Sequence, residues 1–169
     1  MAKPSATSYP GYFQQYIDQV LENNLDDAFI NQSTTITKFL AGINEEKSTF
    51  AYAENKWTIK EVLQHIIDSE RIFCYRALAF ARNDKTNLPG FDENEYALHS
   101  NANNRNWNDI KDEFILLRKS TEMLFNSFTQ EALTETGVAN NNATSVDSIG
   151  FIIIGHCYHH KKIIKERYF

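Results

Sequence analysis

Apolar side chains recur at steps of three and four residues from Leu25 onward, through Phe29, Ile36, Phe39, Leu40 and Ile43, with Gln32 as a lone amide on the same face. That spacing gathers side chains onto one side of a 3.6-residue helix and predicts a first long helix from Asn24. Ahead of it, Phe13, Tyr16, Ile17 and Val20 follow Pro10-Gly11 and predict a short leading N-terminal helix lying across the others. Thr58-Ile59-Lys60-Glu61 reads as a capping box, so a second long helix starts at Thr58. It carries Ile59, Val62, Leu63, Ile66, Ile67, Phe73, Ala77 and Phe80 inward and stops near Asn83-Asp84. A third repeats the pattern with Ile110, Phe114, Leu117, Thr121, Leu124, Phe125 and Phe128, ending around Thr129. After an Asn140-Asn141-Asn142 turn, Thr144 or Ser145 caps a fourth, whose inner face is Ile149, Ile152, Ile153, Ile163 and Ile164.

No stretch shows sustained period-two alternation between hairpin turns, so the pattern offers no evident source of strands. Four amphipathic helices bury their stripes best against one another, which predicts an all-α four-helix bundle. A chain of 169 residues with 42% hydrophobic and 13% aromatic content supports one sizeable core, hence a single domain over residues 1–169. The connection DKTNLPGFDENEYALHSNANNRN, between the second and third long helices, is the anomaly. A loop of that length is either a lid or binding loop, or an ordered crossover with a helical turn of its own.

Charge narrows the partners. A net charge of −5 argues against nucleic acid, whose phosphates need a basic face, and KKIIKER reads more simply as a solvated helix end than as a basic patch. No apolar run reaches membrane-spanning length and no charged-then-apolar leader is visible, so no membrane partner is expected and the expected compartment is a reducing cytoplasm. Cys74 and Cys157 then read as free, buried thiols.

The chemistry concentrates in IIIGHCYHHKKIIKERYF. His156 and His160 project from the same helix face one turn apart and share the inward side with Ile152, Ile153 and Ile163. A buried imidazole needs a hydrogen-bond partner or a metal, because an unpaired polar group costs on the order of 1–3 kcal/mol. The pair alone leaves both readings open. His65, in EVLQHIIDSER, falls on the shoulder of the second helix's apolar stripe and can face a neighbouring helix. One histidine from that helix and two from the last make a physically sensible metal site in a bundle, with a coordination position left for water or substrate. His159 lies one residue off the shared face, and His99, in the long loop, has no assigned chemistry.

Two stretches, KWTIKEVLQHIIDSERIFCYRALAFARNDKTNLPGFDENEY and GVANNNATSVDSIGFIIIGHCYHHKKIIKERYF, resemble the signature regions of the DinB-like superfamily, which includes the YfiT-type metal-dependent hydrolases. The resemblance rests on Trp57-Thr58, His65, Asp68, Glu70-Arg71, the Leu88-Pro89-Gly90-Phe91 loop and the helix from Gly155-His156 to Arg167-Tyr168. It implies an up-down-down-up bundle and a divalent metal ion, nickel or zinc, held by three histidines, which fall here on His65, His156 and His160. It also implies a small-molecule substrate and, in members with an assigned activity, a low-molecular-weight thiol such as bacillithiol or mycothiol as cosubstrate. Two departures, Asp147 where relatives often carry arginine and Cys157-Tyr158 where a pair beginning with an acid is common, leave the ligands in place and bear on their support and on substrate preference.

The leading expectation is a metal-dependent enzyme with a three-histidine site, a thiol-dependent S-transferase or related hydrolase. The alternative is a non-catalytic metal- or small-ligand-binding bundle. Asp68, Glu70, Arg71 and Arg76 could hold a substrate carboxylate or a thiol cofactor, although Asp and Arg three or four apart on a helix read more simply as surface pairs. Gln32 is a further candidate for the site. Tyr9, Tyr12, Phe13, Tyr16 and Tyr75 exceed what a small bundle needs to bury, and a homodimer is expected from them and from the dimers that relatives often form.

Overall fold

The computed structural model describes residues 3–169. A 3-10 turn at Gly11–Phe13 runs into a one-turn helix, α1 (Gln14–Ile17). It is followed by α2 (Leu25–Ala41), α3 (Glu45–Ser48), α4 (Ile59–Ala81), α5 (Glu93–His99), α6 (Trp107–Asn126) and α7 (Gln130–Thr134). A hairpin of β1 (Thr136–Ala139) and β2 (Asn142–Ser145) leads into α8 (Val146–Arg167). The starts of α2 and α4 are capped as the sequence predicts, whereas Ser145, at the N-cap of α8, makes no side-chain cap bond and turns its hydroxyl to the Asp147 and Ser148 side chains. Asn24 caps α2 by accepting from Asp27 N–H, and the Thr58–Glu61 capping box opens α4, with Thr58 N–H donating to Glu61 Oε2 at 2.7 Å.

The four long helices form an up-down-down-up bundle in which α4 packs against α6 and α8, and α2 packs against the same two. The core shows the directions. One apolar cluster joins the start of α2 (Leu25, Phe29), the end of α4 (Ala77, Phe80), the end of α6 (Phe125) and the start of α8 (Ile149, Ile152). The other joins the end of α2 (Ile36, Leu40), the starts of α4 and α6 (Ile59, Leu63, Ile110, Phe114) and the end of α8 (Ile164). So α4 and α6 run parallel, and the chain must cross the bundle's length between them. The long connection does this as an ordered crossover carrying α5 and a 3-10 turn at Ala102–Asn104.

The expectation of no strands fails at one place. β1 and β2 pair antiparallel, Ala139 opposite Asn142, across a two-residue turn of Asn140 and Asn141 with φ of 50° and 60°. Both central residues of a type I′ turn need positive φ, and asparagine tolerates that region better than most residues. Four-residue strands are too short to show an alternation in sequence, which is why only the turn was legible. The crossover is stitched to this hairpin: Leu88 N–H donates to Val138 O and Asn140 N–H to Leu88 O, each at 2.9 Å. At the third helix's end, Phe128 lies beyond α6, which stops at Asn126 before α7.

The leading helix lies on α8, as predicted, and the reason is Gly155. A Cβ there would stand 2.0 Å from the Tyr16 carbonyl oxygen, so only glycine lets the two backbones approach this closely. Of the aromatics that suggested a dimer surface, Tyr9 is buried and Phe13 and Tyr16 are packed on the core, which leaves Tyr12 and Tyr75 exposed. No helix among the described residues is long and apolar enough to cross a membrane.

Candidate metal centre

The bundle's interior is not apolar throughout. Between its two clusters α4 and α8 bring His65, His156 and His160 together, with one ring nitrogen from each within 4.8 Å of the others. His156 Nε2 faces His65 Nε2 at 3.1 Å and His160 Nε2 at 3.0 Å. Each such contact needs one N–H and one lone pair, so His156 Nε2 cannot serve two neighbours with ordinary directional bonds. Burial settles the charge. It lowers the His65 pKa to about 4 and, with the neighbouring histidines, the His160 pKa to about 3, and it holds His156 well below the usual range. At neutral pH all three are uncharged imidazoles, the form in which histidine ligates a metal.

The donor set fits a divalent cation. Nitrogens about 2.1 Å from a shared ion stand roughly 3 Å apart, as His156 does from each of the other two, and three neutral imidazoles suit the borderline ions zinc and nickel. Among the described residues no Cys, Asp or Glu joins the cluster, so an ion held there would take three nitrogens from the protein and have further positions for a small molecule.

A pocket of about 290 Å³ opens above the histidines. Trp57 leans over His65 with ring centroids 4.9 Å apart, and the Tyr16 ring stands edge-on to both His156 and His159 at 5.2 and 5.1 Å. Phe13, Phe73 and Tyr12 continue this aromatic wall, while Gly90, Phe91 and Asn140 come from the stitched crossover and hairpin. Gly90 packs closely on Asn140, where a Cβ would meet the end of the asparagine side chain at 2.8 Å and oblige it to turn aside. The crossover is thus an ordered connection with a helical turn of its own, and it also contributes Gly90, Phe91 and Glu93 to the pocket wall. Ser69, Arg76 and Glu93 add the polar groups. Sequence reasoning passed over most of this wall, although the signal was present: Ser69, Phe73 and Arg76 follow His65 at four, eight and eleven residues, close to whole turns of one helix.

The other candidates go elsewhere. His159 stays outside the trio, beside Tyr16 and within 3.4 Å of Gln19 Nε2. His99 is exposed on α5, with Nδ1 2.9 Å from the Glu95 carbonyl oxygen. Gln32 does not reach the histidines; its Oε1 accepts from Arg118, a residue on α6 that the apolar reading of that helix skipped. The charged group on α4 splits. Arg71 is a surface residue paired with Glu113 and Asp68, as expected. Glu70 is a correction: it is buried and gripped by Arg118, and its Oε1 also accepts from Thr121 at 2.7 Å. Arg76 is buried too. Cys74 and Cys157 are free, Cys157 buried as expected and Cys74 only partly so, and desolvation pushes both thiols up to about 11, so neither is a ready thiolate.

A family model described as the DinB superfamily matches residues 28–164. A protein of Oceanobacillus iheyensis named "Putative metal-dependent hydrolase OB0413" is 31% identical over 62 residues, which are 36% of this chain. The matched stretch spans only 35% of that relative's length. In structure, the chain is similar to YfiT from Bacillus subtilis, described as a probable metal-dependent hydrolase with an unusual four-helix bundle topology. The superposition has a TM-score of 0.70 at 14% identity and covers 97% of this chain and 90% of YfiT.

Proposed function

The chain belongs to the DinB superfamily, and from that premise we propose that it is a metal-dependent enzyme acting on a small molecule, with His65, His156 and His160 as the ligands of a zinc or nickel ion. The observation that carries this reading is the convergence of three neutral Nε2 atoms, 3.0 and 3.1 Å apart, at the base of a pocket. Names given to the relatives, hydrolase in both cases, agree with it at the level of a metal-assisted reaction.

When bound, the ion would lower the pKa of a thiol or water at its open position and so supply a nucleophilic anion at neutral pH. The chain's own residues do the rest. Trp57, Tyr16 and Phe73 flank the space above the histidines and offer flat apolar faces to an electrophile. Among the described residues the one carboxylate lining the pocket is Glu93, and it is exposed. A nucleophile that ionises without a buried carboxylate is therefore favoured. A thiol, with a pKa near 8.5, needs far less assistance than water. This supports thiol-dependent S-transfer with a low-molecular-weight thiol as cosubstrate over hydrolysis.

The test is elemental analysis of protein incubated with zinc or nickel and desalted, followed by a screen of the loaded protein against pairs of thiols and electrophiles. About one ion per chain and turnover that requires the thiol are expected. Failure to retain either metal sinks the site. Retention with turnover by water alone moves the protein to the hydrolases, and retention with no turnover of any pair moves it to non-catalytic binding proteins.

A further inference from the structure

Two arginines of this chain are buried, and they are treated differently. Arg118 is neutralised by Glu70. Arg76 is 8% exposed, lines the histidine pocket, and has no carboxylate within 4.0 Å among the described residues. Of its five N–H donors, one is used, Nη2 to the Pro89 carbonyl oxygen at 2.9 Å. The guanidinium otherwise stands over the Phe73 ring, 5.8 Å from its centroid, with Tyr12 close by. Burial without an opposite charge disfavours the cation and lowers its pKa. Holding the Pro89 carbonyl would need only a neutral donor. A buried, uncompensated cation is costly to keep unless something negative arrives to meet it.

The pocket contains one carboxylate, Glu93, which is exposed at the mouth and forms no ion pair with Arg76. Water screens it there, so it does not neutralise the guanidinium inside. Helix geometry fixes the layout of the rest. Arg76 lies eleven residues beyond His65 on α4, about three turns and roughly 16 Å along the axis, and helical side chains lean back toward the N-terminus. The guanidinium carbon lies 5.8 Å from the Phe73 centroid and that ring 6.4 Å from the His156 ring, so it stands farther along the same aromatic trough, on the order of 10 Å from the His156 imidazole.

We propose that Arg76 is an anion-binding subsite, and that the substrate of this pocket is an apolar molecule carrying a carboxylate, received by Arg76 while the reacting end lies over the histidines. The planar guanidinium can meet a carboxylate with two parallel hydrogen bonds, and the single positive charge matches a monoanion. The assignment of a reacting end rests on the metal-site reading above; the anion subsite does not.

Calorimetric titration separates the two. The probes are 4-phenylbutyrate and its neutral amide, titrated into metal-loaded and metal-free protein. Wild type should bind the acid at least about tenfold more tightly than the amide, the size of one charge-assisted bidentate contact. Arg76→Gln, which keeps a donor for Pro89, should erase that preference, Arg76→Lys should keep part of it, and Arg71→Gln on the surface should leave it intact. If Arg76→Gln does not fold, as judged by circular dichroism, the wild-type and Arg76→Lys comparison decides. Equal binding of acid and amide by wild type, no binding of the acid, or an undiminished preference in Arg76→Gln or Arg76→Lys would overturn the proposal. A preference that disappears with the metal also overturns it, since the ion and not Arg76 would then hold the carboxylate. A protein that takes up no metal but keeps the preference refutes the metal site and supports the subsite.

Discussion

Glu70 and Arg118 meet in the middle of the bundle through two parallel hydrogen bonds, Nε to Oε1 at 2.9 Å and Nη2 to Oε2 at 2.7 Å, with each residue 2% exposed. Burial would lower the arginine's pKa, but the Glu70 charge and its hydrogen bonds more than reverse that. Removing one partner strands the other. Glu70→Leu should destabilise by about 3–5 kcal/mol, and Glu70→Leu with Arg118→Met should recover most of the loss, because a buried pair is often no better than well-packed apolar residues. Urea unfolding of the singles and the double measures it; a Glu70→Leu protein as stable as wild type would contradict the account.

His160→Ala and His159→Ala are adjacent changes with opposite consequences. His160 belongs to the converging trio and His159 does not. Loss of even an outer hydrogen-bond partner costs metal sites about 10–100-fold in affinity, so His160→Ala should lose at least that much while His159→Ala stays near wild type. The thermal midpoints should separate in the same order with metal and converge after chelation, since an ion that binds only the folded state stabilises it. Competition titration with a chromogenic chelator reads the affinities. Equal loss in both variants would remove His160 from the ligand set.

Acid should weaken the metal-free protein. His65 and His160 have folded pKa values of about 4 and about 3, both below the ordinary value of 6.5. The unfolded chain therefore binds more protons between these limits, and stability falls as pH drops. Their contribution is complete above pH 6.5, declines through the interval and is exhausted below about 3. Each group accounts for on the order of a few kcal/mol over the whole range. Urea midpoints of chelated protein at pH 7 and pH 5 should differ, and His65→Leu should reduce the difference. A midpoint indifferent to pH over that span would count against burial of neutral imidazoles.

Gly155→Ala tests how the pocket's aromatic side is held. The new methyl would press on the Tyr16 carbonyl carbon and oxygen, 2.4 and 2.0 Å from an ideal Cβ, and backbone cannot rotate aside as a side chain can. Overpacking of this kind costs about 1–3 kcal/mol. Hydrogen exchange at residues 13–18 should accelerate while metal affinity changes little, because α4 and α8 still present the three imidazoles. Unaltered exchange in that segment would mean that α1 accommodates the methyl without leaving α8.

Periodicity made the bundle legible, since each long helix carries an apolar stripe and α4 and α8 carry histidines on the sides that meet. The family resemblance supplied the direction of the helices, which no stripe can encode. The polar interior was harder to see. Arg118 lies four residues after Phe114 and three before Thr121, squarely on the inward face of α6, but a guanidinium there reads as an interruption until its partner Glu70 is known to be three helix turns deep on α4. Glu70 and Arg76 looked like surface charges because a one-helix view cannot tell which neighbour covers them. The hairpin was hidden for another reason: strands of four residues have too few alternations to rise above chance, and their partner, Leu88, is some fifty residues away.

Tyr12, Phe13 and Tyr16 precede the stretch from residue 28 to 164 that carries the superfamily's pattern, whereas all three histidines lie within it. The three histidines and one side of the chamber above them thus come from different parts of the polypeptide, packed together through Gly155 and through Tyr9, Ile17 and Val20 in the core. Re-tailoring selectivity is then a matter of editing an N-terminal cover whose Tyr9, Ile17 and Val20 are also core residues. Chimeras that exchange residues 9–20 with those of another bundle of this superfamily, keeping Gly155, offer a way to change what is admitted without rebuilding the centre that would act on it.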